Sequence, residues 1–167
     1  MRIEEEIKQK SFASEFHKLA VNLQFTANWL GGLQSKLFRS YGISYQQFNV
    51  LRILKGQYPK PSSLILIKDR MLDKDSNASR LIDKLESAGL TKRVQCPNDR
   101  RQVDITITEA GLQLLDKVNP EVDKLTSEIM NLSQEEASTL NNLLDKLREG
   151  IENKYHKDLT TKEESII

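Results

Sequence analysis

The chain has 167 residues, of which 38% are hydrophobic and 29% charged, a composition typical of one globular domain with a single core. Its one cysteine excludes an internal disulfide framework, and its apolar runs are too short to cross a bilayer. The first residues carry charges where a signal peptide needs an apolar segment, so a cytoplasmic location is expected.

The net charge of +1 conceals an uneven distribution of charged residues. Residues 1–103 contain 18 Lys and Arg against 10 Asp and Glu, whereas residues 104–167 contain 7 against 14. The first part of the chain is therefore the better candidate for contact with an anionic partner.

The apolar residues between Phe12 and Leu37 predict a long first helix. Steps of four and three residues form a heptad pattern through Phe12, Phe16, Leu19, Leu23, Thr26, Leu30, Leu33 and Leu37. Ala20, Ala27 and Trp29 make a second side of the helix apolar, so the helix needs two partners. Two interpretations remain open: a core helix of one subunit, or a dimerisation helix that also contacts a second chain.

A pair of helices is predicted next. Ser44-Tyr45-Gln46-Gln47 has the pattern of a capping box and opens a helix that ends near Gly56. Two prolines then interrupt the chain, and Ser62 to Met71 is predicted to form a short helix. Together with a further helix that begins near Ser76, this segment has the arrangement of a helix-turn-helix.

The helix near Ser76 has one apolar and one polar face. Helical spacing places Ala78, Leu81, Ile82, Leu85 and Ala88 on the inner face and Ser76, Arg80, Asp83 and Ser87 on the outer face, flanked by Asn77, Ser79 and Lys84. Asp75 or Ser76 is the expected N-cap, and Gly89 is expected to end the helix in a left-handed conformation.

Beyond Gly89 the sequence predicts a two-stranded ribbon. Val103, Ile105 and Ile107 alternate with polar residues, and the segment from Leu90 to Cys96 is the expected partner strand. The turn between them, residues 97–102, contains two adjacent arginines. Exposed arginines on a projecting ribbon suit a phosphate backbone or a minor groove, and the preceding polar helix suits a major groove.

The acidic last part of the chain predicts two more helices. One begins at Thr108-Glu109-Ala110-Gly111 and is expected to bend or restart at Pro120. The other opens with a second capping box, Ser133-Gln134-Glu135-Glu136, and carries leucines at helical spacing.

Several motifs, in this order, resemble the MarR family of bacterial winged-helix regulators: Ser79 to Leu90, Lys92-Arg93, Asp99-Arg100-Arg101 and Thr108 to Gly111. The resemblance covers residues 41–118 in sequence and the outer helices in architecture. It implies a mainly α fold with a small two- to three-stranded β-wing. The single domain is expected to contain a dimerisation helix (12–38), a winged-helix DNA-binding lobe (42–108), C-terminal dimerisation helices (109–155) and a tail (156–167).

The resemblance also assigns roles in DNA binding. Arg80 is suited to pair with guanine, Asp99 braces Arg101 toward the minor groove, and Arg100 contacts phosphate. Asp83 would repel phosphate unless it accepts from a cytosine amino group or pairs with Lys84 or Arg80. The candidate DNA-binding residues are Ser62, Ser76, Asn77, Ser79, Arg80, Lys84, Asp99, Arg100 and Arg101.

The function that the resemblance implies is transcriptional regulation by a homodimer bound to a pseudo-palindromic operator in double-stranded DNA. Repression relieved by a small-molecule effector is expected, without a cofactor, a metal or a membrane. The alternative is a winged-helix module that binds protein through its heptad helix and not DNA. In that alternative, Arg80, Arg100 and Arg101 are replaceable.

Enzymatic chemistry is not indicated. His17 and His156 are far apart in sequence, and the chain has neither a metal-ligand spacing nor a glycine-rich phosphate loop. A thiol switch at Cys96 is a further alternative because Arg93 and the wing arginines are close to it in sequence. A lone cysteine on a strand is more often a small apolar residue.

Overall fold

The computed structural model describes residues 1–95 and 103–163, with side chains described through residue 150. These residues belong to two compact units, Met1–Lys124 and Leu125–Ile167. Seven helices and three strands lie in the described ranges: α1 (Ile3–Glu6), α2 (Glu15–Ser40), α3 (Tyr45–Gln57), β1 (Ser62–Ser63), α4 (Leu64–Arg70), α5 (Ala78–Ser87), β2 (Thr91–Gln95), β3 (Val103–Ile107), α6 (Glu109–Ile129) and α7 (Gln134–Glu163).

The strands form one antiparallel sheet in the order β1-β3-β2. Ser62 of β1 is opposite Ile105 of β3, and β2 pairs with β3 along its length, beginning with Thr91 opposite Ile107. The predicted ribbon and the mainly α fold with a small β-wing are therefore confirmed. We use the name wing for β2 and β3.

The core of the first unit lies where α3, α4, α5, α6 and β3 meet. Leu51, Ile67, Ile82, Leu85 and Leu115 are completely buried there. Burial of each such side chain is worth about 1.5–3 kcal/mol. The two α5 residues in this group are on the face predicted to point inward, so the core holds the polar face of α5 outward.

Hydrogen bonds at the helix starts confirm one predicted cap and correct another boundary. Ser44 Oγ accepts from the Gln47 amide at 3.2 Å, and Gln47 Oε1 accepts from the Ser44 amide at 2.8 Å, which is the predicted capping box. At α2, Ser14 Oγ accepts from the His17 amide at 3.1 Å. The helix thus starts after Phe12, because apolar spacing alone carries no signal for the helix start.

The C-terminal helices are longer than predicted. Pro120 lies inside α6, which continues without restarting from Glu109 to Ile129. Proline removes one amide donor, yet its fixed backbone angle is itself compatible with a helix. The next helix, α7, runs to Glu163, whereas a tail was expected from residue 156.

The second unit contains the end of α6 and the whole of α7, which supplies most of its residues. Ser133 Oγ accepts from the Glu136 amide at 3.2 Å, and Glu136 Oε2 accepts from the Ser133 amide at 2.8 Å, which confirms the second capping box. Leu140, Leu143 and Leu147 are 46%, 58% and 42% exposed. An apolar stripe therefore follows the surface of α7.

Within residues 1–95 and 103–163, no helix is both long enough and apolar enough to span a membrane.

Candidate nucleic-acid interface

The polar N-terminus of α5 begins with Asn77. Asn77 Oδ1 accepts from the Arg80 amide at 3.0 Å, so Asn77 is the N-cap and the prediction of Asp75 or Ser76 was wrong. The Ser76 hydroxyl instead donates to Asp73 Oδ2 at 2.6 Å. This hydrogen bond, followed by weaker contributions from backbone amides and Gln46, lowers the pKa of the Asp73 carboxyl. The Ser76 side chain thus stabilises the turn before α5 and does not cap the helix.

The outer face of α5 brings most of the predicted DNA-binding residues together. Asn77, Ser79, Arg80 and Lys84 are all exposed, and Ser76 is half-buried at the same end of the helix. Asp83 lies between Arg80 and Ser87 on this face, with a side chain 60% exposed. The face therefore combines hydrogen-bonding groups and two cations with one carboxylate.

The carboxylate on this face has a cationic partner on the wing. The Arg93 guanidinium of β2 forms an ion pair with Asp83 through one nitrogen and with Glu86 through another. The Arg93 backbone amide also donates to Glu86 Oε1 at 3.1 Å. The hydrogen bond to Asp83 is the main cause that raises the pKa of Arg93, and the charge of Glu86 adds to it.

Arg93 was not predicted as the partner of Asp83. Lys84 and Arg80 were the expected partners because both are neighbours of Asp83 in the same helix. The structure places the partner on the next strand, where the turn after α5 folds β2 back toward the helix. The signal that was available is a pair of acidic residues, Asp83 and Glu86, three positions apart on one helix.

The C-terminal end of α5 is joined to the start of α6. Gly89 has φ +70°, as predicted for the residue that ends the helix. The Thr108 hydroxyl donates to the Gly89 carbonyl at 2.7 Å and accepts from the Gly111 amide at 3.2 Å. The Thr108 amide donates to the Leu90 carbonyl at 3.1 Å. Thr108 thus caps α6 and at the same time holds the turn after α5.

Ser62 is not at the start of a helix, where the sequence placed it. It lies in β1, is 1% exposed, and its Oγ has no hydrogen-bond partner among the described residues. The N-cap of α4 is Ser63, whose Oγ accepts from the Leu66 amide at 3.2 Å. Two adjacent serines are equally suitable caps in sequence, and only the pairing of β1 with β3 distinguishes them.

The predicted wing-tip residues Asp99, Arg100 and Arg101, and also Cys96, lie outside the described residues. The described part of the wing ends at Gln95 on β2 and resumes at Val103 on β3. Within the described residues, no group of three or more His, Cys, Asp or Glu side chains is arranged to hold a metal ion.

A cleft of about 320 Å³ lies elsewhere in the first unit, between α2, α3 and α6. Its apolar lining includes Phe38, Tyr45, Phe48 and Leu72, and burial raises the pKa of the Tyr45 hydroxyl. The Arg52 guanidinium also lines the cleft and lies 5.8 Å from the centre of the Phe48 ring. The cleft therefore offers aromatic surface beside one cation.

Comparison with known proteins identifies the family. The model of the MarR family matches residues 43–103. The transcriptional regulator MgrA of Staphylococcus aureus is 32% identical over 113 residues, which are 68% of this chain and 75% of MgrA.

Solved structures agree with this match in fold. A mutant of MarR from E. coli, complexed with operator DNA, has a TM-score of 0.70 at 23% identity, and the match covers 83% of this chain and 99% of MarR. BpsR of Bordetella bronchiseptica, whose DNA binding is regulated by 6-hydroxynicotinic acid, has a TM-score of 0.68 at 22% identity over 75% and 89% of the two chains. On the match to MgrA, and in agreement with the motifs found in the sequence, this chain belongs to the MarR family.

Proposed function

We propose that the protein is a sequence-specific DNA-binding transcriptional regulator, and that it acts as a homodimeric repressor released by a small-molecule effector. The observation that carries the proposal is the outer face of α5. Buried Ile82 and Leu85 anchor the helix to the core, so its exposed polar residues form a regular surface of the width that a major groove accepts. Residues 1–103, which include this face, contain more Lys and Arg than Asp and Glu, 18 against 10.

The proposed contacts follow from the chemistry of each side chain. Arg80 pairs bidentately with guanine, and Asn77 and Ser79 contact base edges or phosphates from the first turn of α5. Lys84 adds a phosphate contact farther along the exposed face. Ser76 is a weaker candidate because its hydroxyl is engaged with Asp73.

Two further sets of contacts complete the proposed interface. At the start of α4, the half-buried Ser63 is proposed to contact phosphate in place of Ser62, a candidate DNA-binding residue from the sequence that is buried in the structure. On the wing, Asp99, Arg100 and Arg101 are proposed to enter the minor groove, on the strength of the sequence motif.

Dimerisation is proposed because the single chain has large apolar side chains exposed to solvent. On α2, Phe16 is 85% exposed, and Leu19, Leu23 and Trp29 are 40–47% exposed. The leucine stripe of α7 is exposed in the same way. Exposed apolar side chains in such number on one helix mark an interaction site. A two-fold dimer implies an operator with two related half-sites.

The effector is proposed to bind in the cleft lined by Phe38, Tyr45 and Phe48, because small-molecule sites are concave and mostly apolar with a few polar groups. The regulation of DNA binding by 6-hydroxynicotinic acid in the structurally similar BpsR supports the proposal of a small-molecule effector. No catalytic role is proposed, and the expected location is the cytoplasm, where a regulator meets its operator.

The test is a DNA-binding titration of the full-length protein with the fragment upstream of its own gene and with a scrambled fragment of equal length. We expect the upstream fragment to bind more tightly, and Arg80→Ala to lose about 5- to 150-fold in affinity for it, equivalent to about 1–3 kcal/mol for one bidentate base contact.

The matched control is Arg148→Ala in α7, which removes the same charge from an arginine paired with Asp145. It should bind DNA as the wild type does, provided that size-exclusion chromatography shows an unchanged oligomeric state. The absence of binding at low salt, or equal affinities of wild type and Arg80→Ala, would contradict the proposal and favour a protein-interaction module.

A further inference from the structure

We infer that Arg93 is a positioning residue for DNA binding, which pairs with two carboxylates of helix α5, compensates one of their two negative charges and ties that helix to wing strand β2. The inference rests on the proposed function, because it assumes that the outer face of α5 approaches DNA. It assigns to Arg93 an action through Asp83 and Glu86 and not a contact with the nucleic acid.

The geometry around Arg93 engages both carboxylates at once. One guanidinium nitrogen pairs with Asp83 and another with Glu86, and the Arg93 backbone amide donates to the second Glu86 oxygen at 3.1 Å. Two ion pairs and a hydrogen bond therefore connect β2 with α5. They bridge the helix and the first strand of the wing, the two elements whose relative orientation determines whether both fit one DNA segment.

The position of Asp83 explains why its pairing with Arg93 matters. Asp83 lies on the exposed face of α5 between Arg80 and Ser87, and its side chain is 60% exposed. A free carboxylate at that position would face the phosphates that Arg80 and Lys84 are proposed to approach. Because DNA carries closely spaced negative charges, each uncompensated carboxylate in the interface opposes binding.

The planar guanidinium is suited to this arrangement in a way that lysine is not. Its nitrogens point in fixed directions, so one arginine serves two carboxylates at a defined angle. A lysine ammonium would supply the charge without the geometry. Lysine would, however, serve equally well for a simple phosphate contact, so Arg93→Lys distinguishes the two roles.

The experiment is a mutant cycle on affinity for the upstream DNA fragment. The proteins are wild type, Arg93→Gln, the double variant Asp83→Asn with Glu86→Gln, and the variant with all three changes. We expect Arg93→Gln to weaken binding at least tenfold in the wild-type background, because it leaves two free carboxylates at the interface. In the double-variant background the same substitution should change affinity by less than about threefold.

Two additional measurements separate positioning from a general loss of structure. The three side chains are 35–60% exposed, and ion pairs at such exposure add little stability, so melting temperatures should agree within about 5 °C. Arg93→Lys should fall between wild type and Arg93→Gln in affinity.

Equal losses from Arg93→Gln in both backgrounds would overturn the inference and assign Arg93 to DNA itself, as would wild-type affinity in Arg93→Lys. If the wild-type protein binds no DNA, the proposed function fails before the cycle begins, so the two failures are distinguishable.

Discussion

The substitution Gly111→Ala tests the junction between the end of α5 and the start of α6. A Cβ atom on Gly111 would lie 2.4 Å from the Leu90 carbonyl oxygen and 2.7 Å from Ile107 Cγ1. The Leu90 carbonyl cannot move away freely, because it accepts the Thr108 amide at 3.1 Å. The added methyl group must therefore displace backbone, not the flexible end of a side chain.

Two opposing terms determine the size of the effect. Alanine is favoured over glycine inside a helix by about 1 kcal/mol, which by itself would stabilise the variant. Overpacking of a closely packed site costs about 1–3 kcal/mol, and contact with a backbone oxygen places Gly111 at the upper end of that range or above it. We expect a net loss of about 2 kcal/mol in the free energy of unfolding.

The assay is urea unfolding followed by circular dichroism at one fixed protomer concentration, since stability of a dimer depends on concentration. A loss of about 2 kcal/mol lowers the midpoint by about 1 M urea. The control is Gly56→Ala in α3, where no atom of the described residues lies within 4 Å of the added Cβ. That variant should be as stable as wild type or more stable. A Gly111→Ala protein as stable as Gly56→Ala would refute the argument from close approach.

Three further outcomes are expected. Thr108→Val, which loses the cap of α6 and the bond to Gly89, should cost about 1–2 kcal/mol in unfolding experiments, and Thr108→Ser should recover most of it. The double variant Arg100→Ala with Arg101→Ala should flatten the log–log dependence of DNA affinity on salt by about 0.9 for each phosphate that the protein no longer neutralises. Burial raises the pKa of Tyr45 above its usual 10.0, so the unfolded chain ionises first. The contribution of Tyr45 to the free energy of unfolding should therefore be constant below about pH 10 and decline above it. Tyr45→Phe should reduce the fall in urea midpoint between about pH 8 and about pH 10.5.

The sequence predicts the fold well where local patterns decide the structure. The spacing of Ile82 and Leu85 predicts the buried face of α5, and the capping pattern at Ser44 predicts the start of α3 to the residue. Gly89 marks the end of α5 because a left-handed conformation strongly favours glycine. Each of these signals depends on residues within one or two turns of one another.

Prediction from the sequence fails where several local conformations have similar energies. Asp75, Ser76 and Asn77 are all good caps, and the choice of Asn77 depends on how the turn before α5 uses Asp73 to bind Ser76. The start of α1 was not predicted at all, because a helix of four residues has no room for a periodic pattern. The misplacement of Ser62 has the same origin, since β1 exists only through its pairing with β3.

The candidate site shows a further limit, which concerns charge. An acidic residue such as Asp83 on a DNA-facing helix looks unfavourable when only its helical neighbours are considered. Part of that unfavourable charge is compensated once β2 folds back and places Arg93 against Asp83. Helix periodicity assigns a side chain to a face, but a cation on another element determines whether the charge of that side chain is compensated. The electrostatic character of a recognition helix therefore belongs to the helix together with its wing, and substitutions at Arg93 should affect DNA binding as strongly as substitutions on the helix itself.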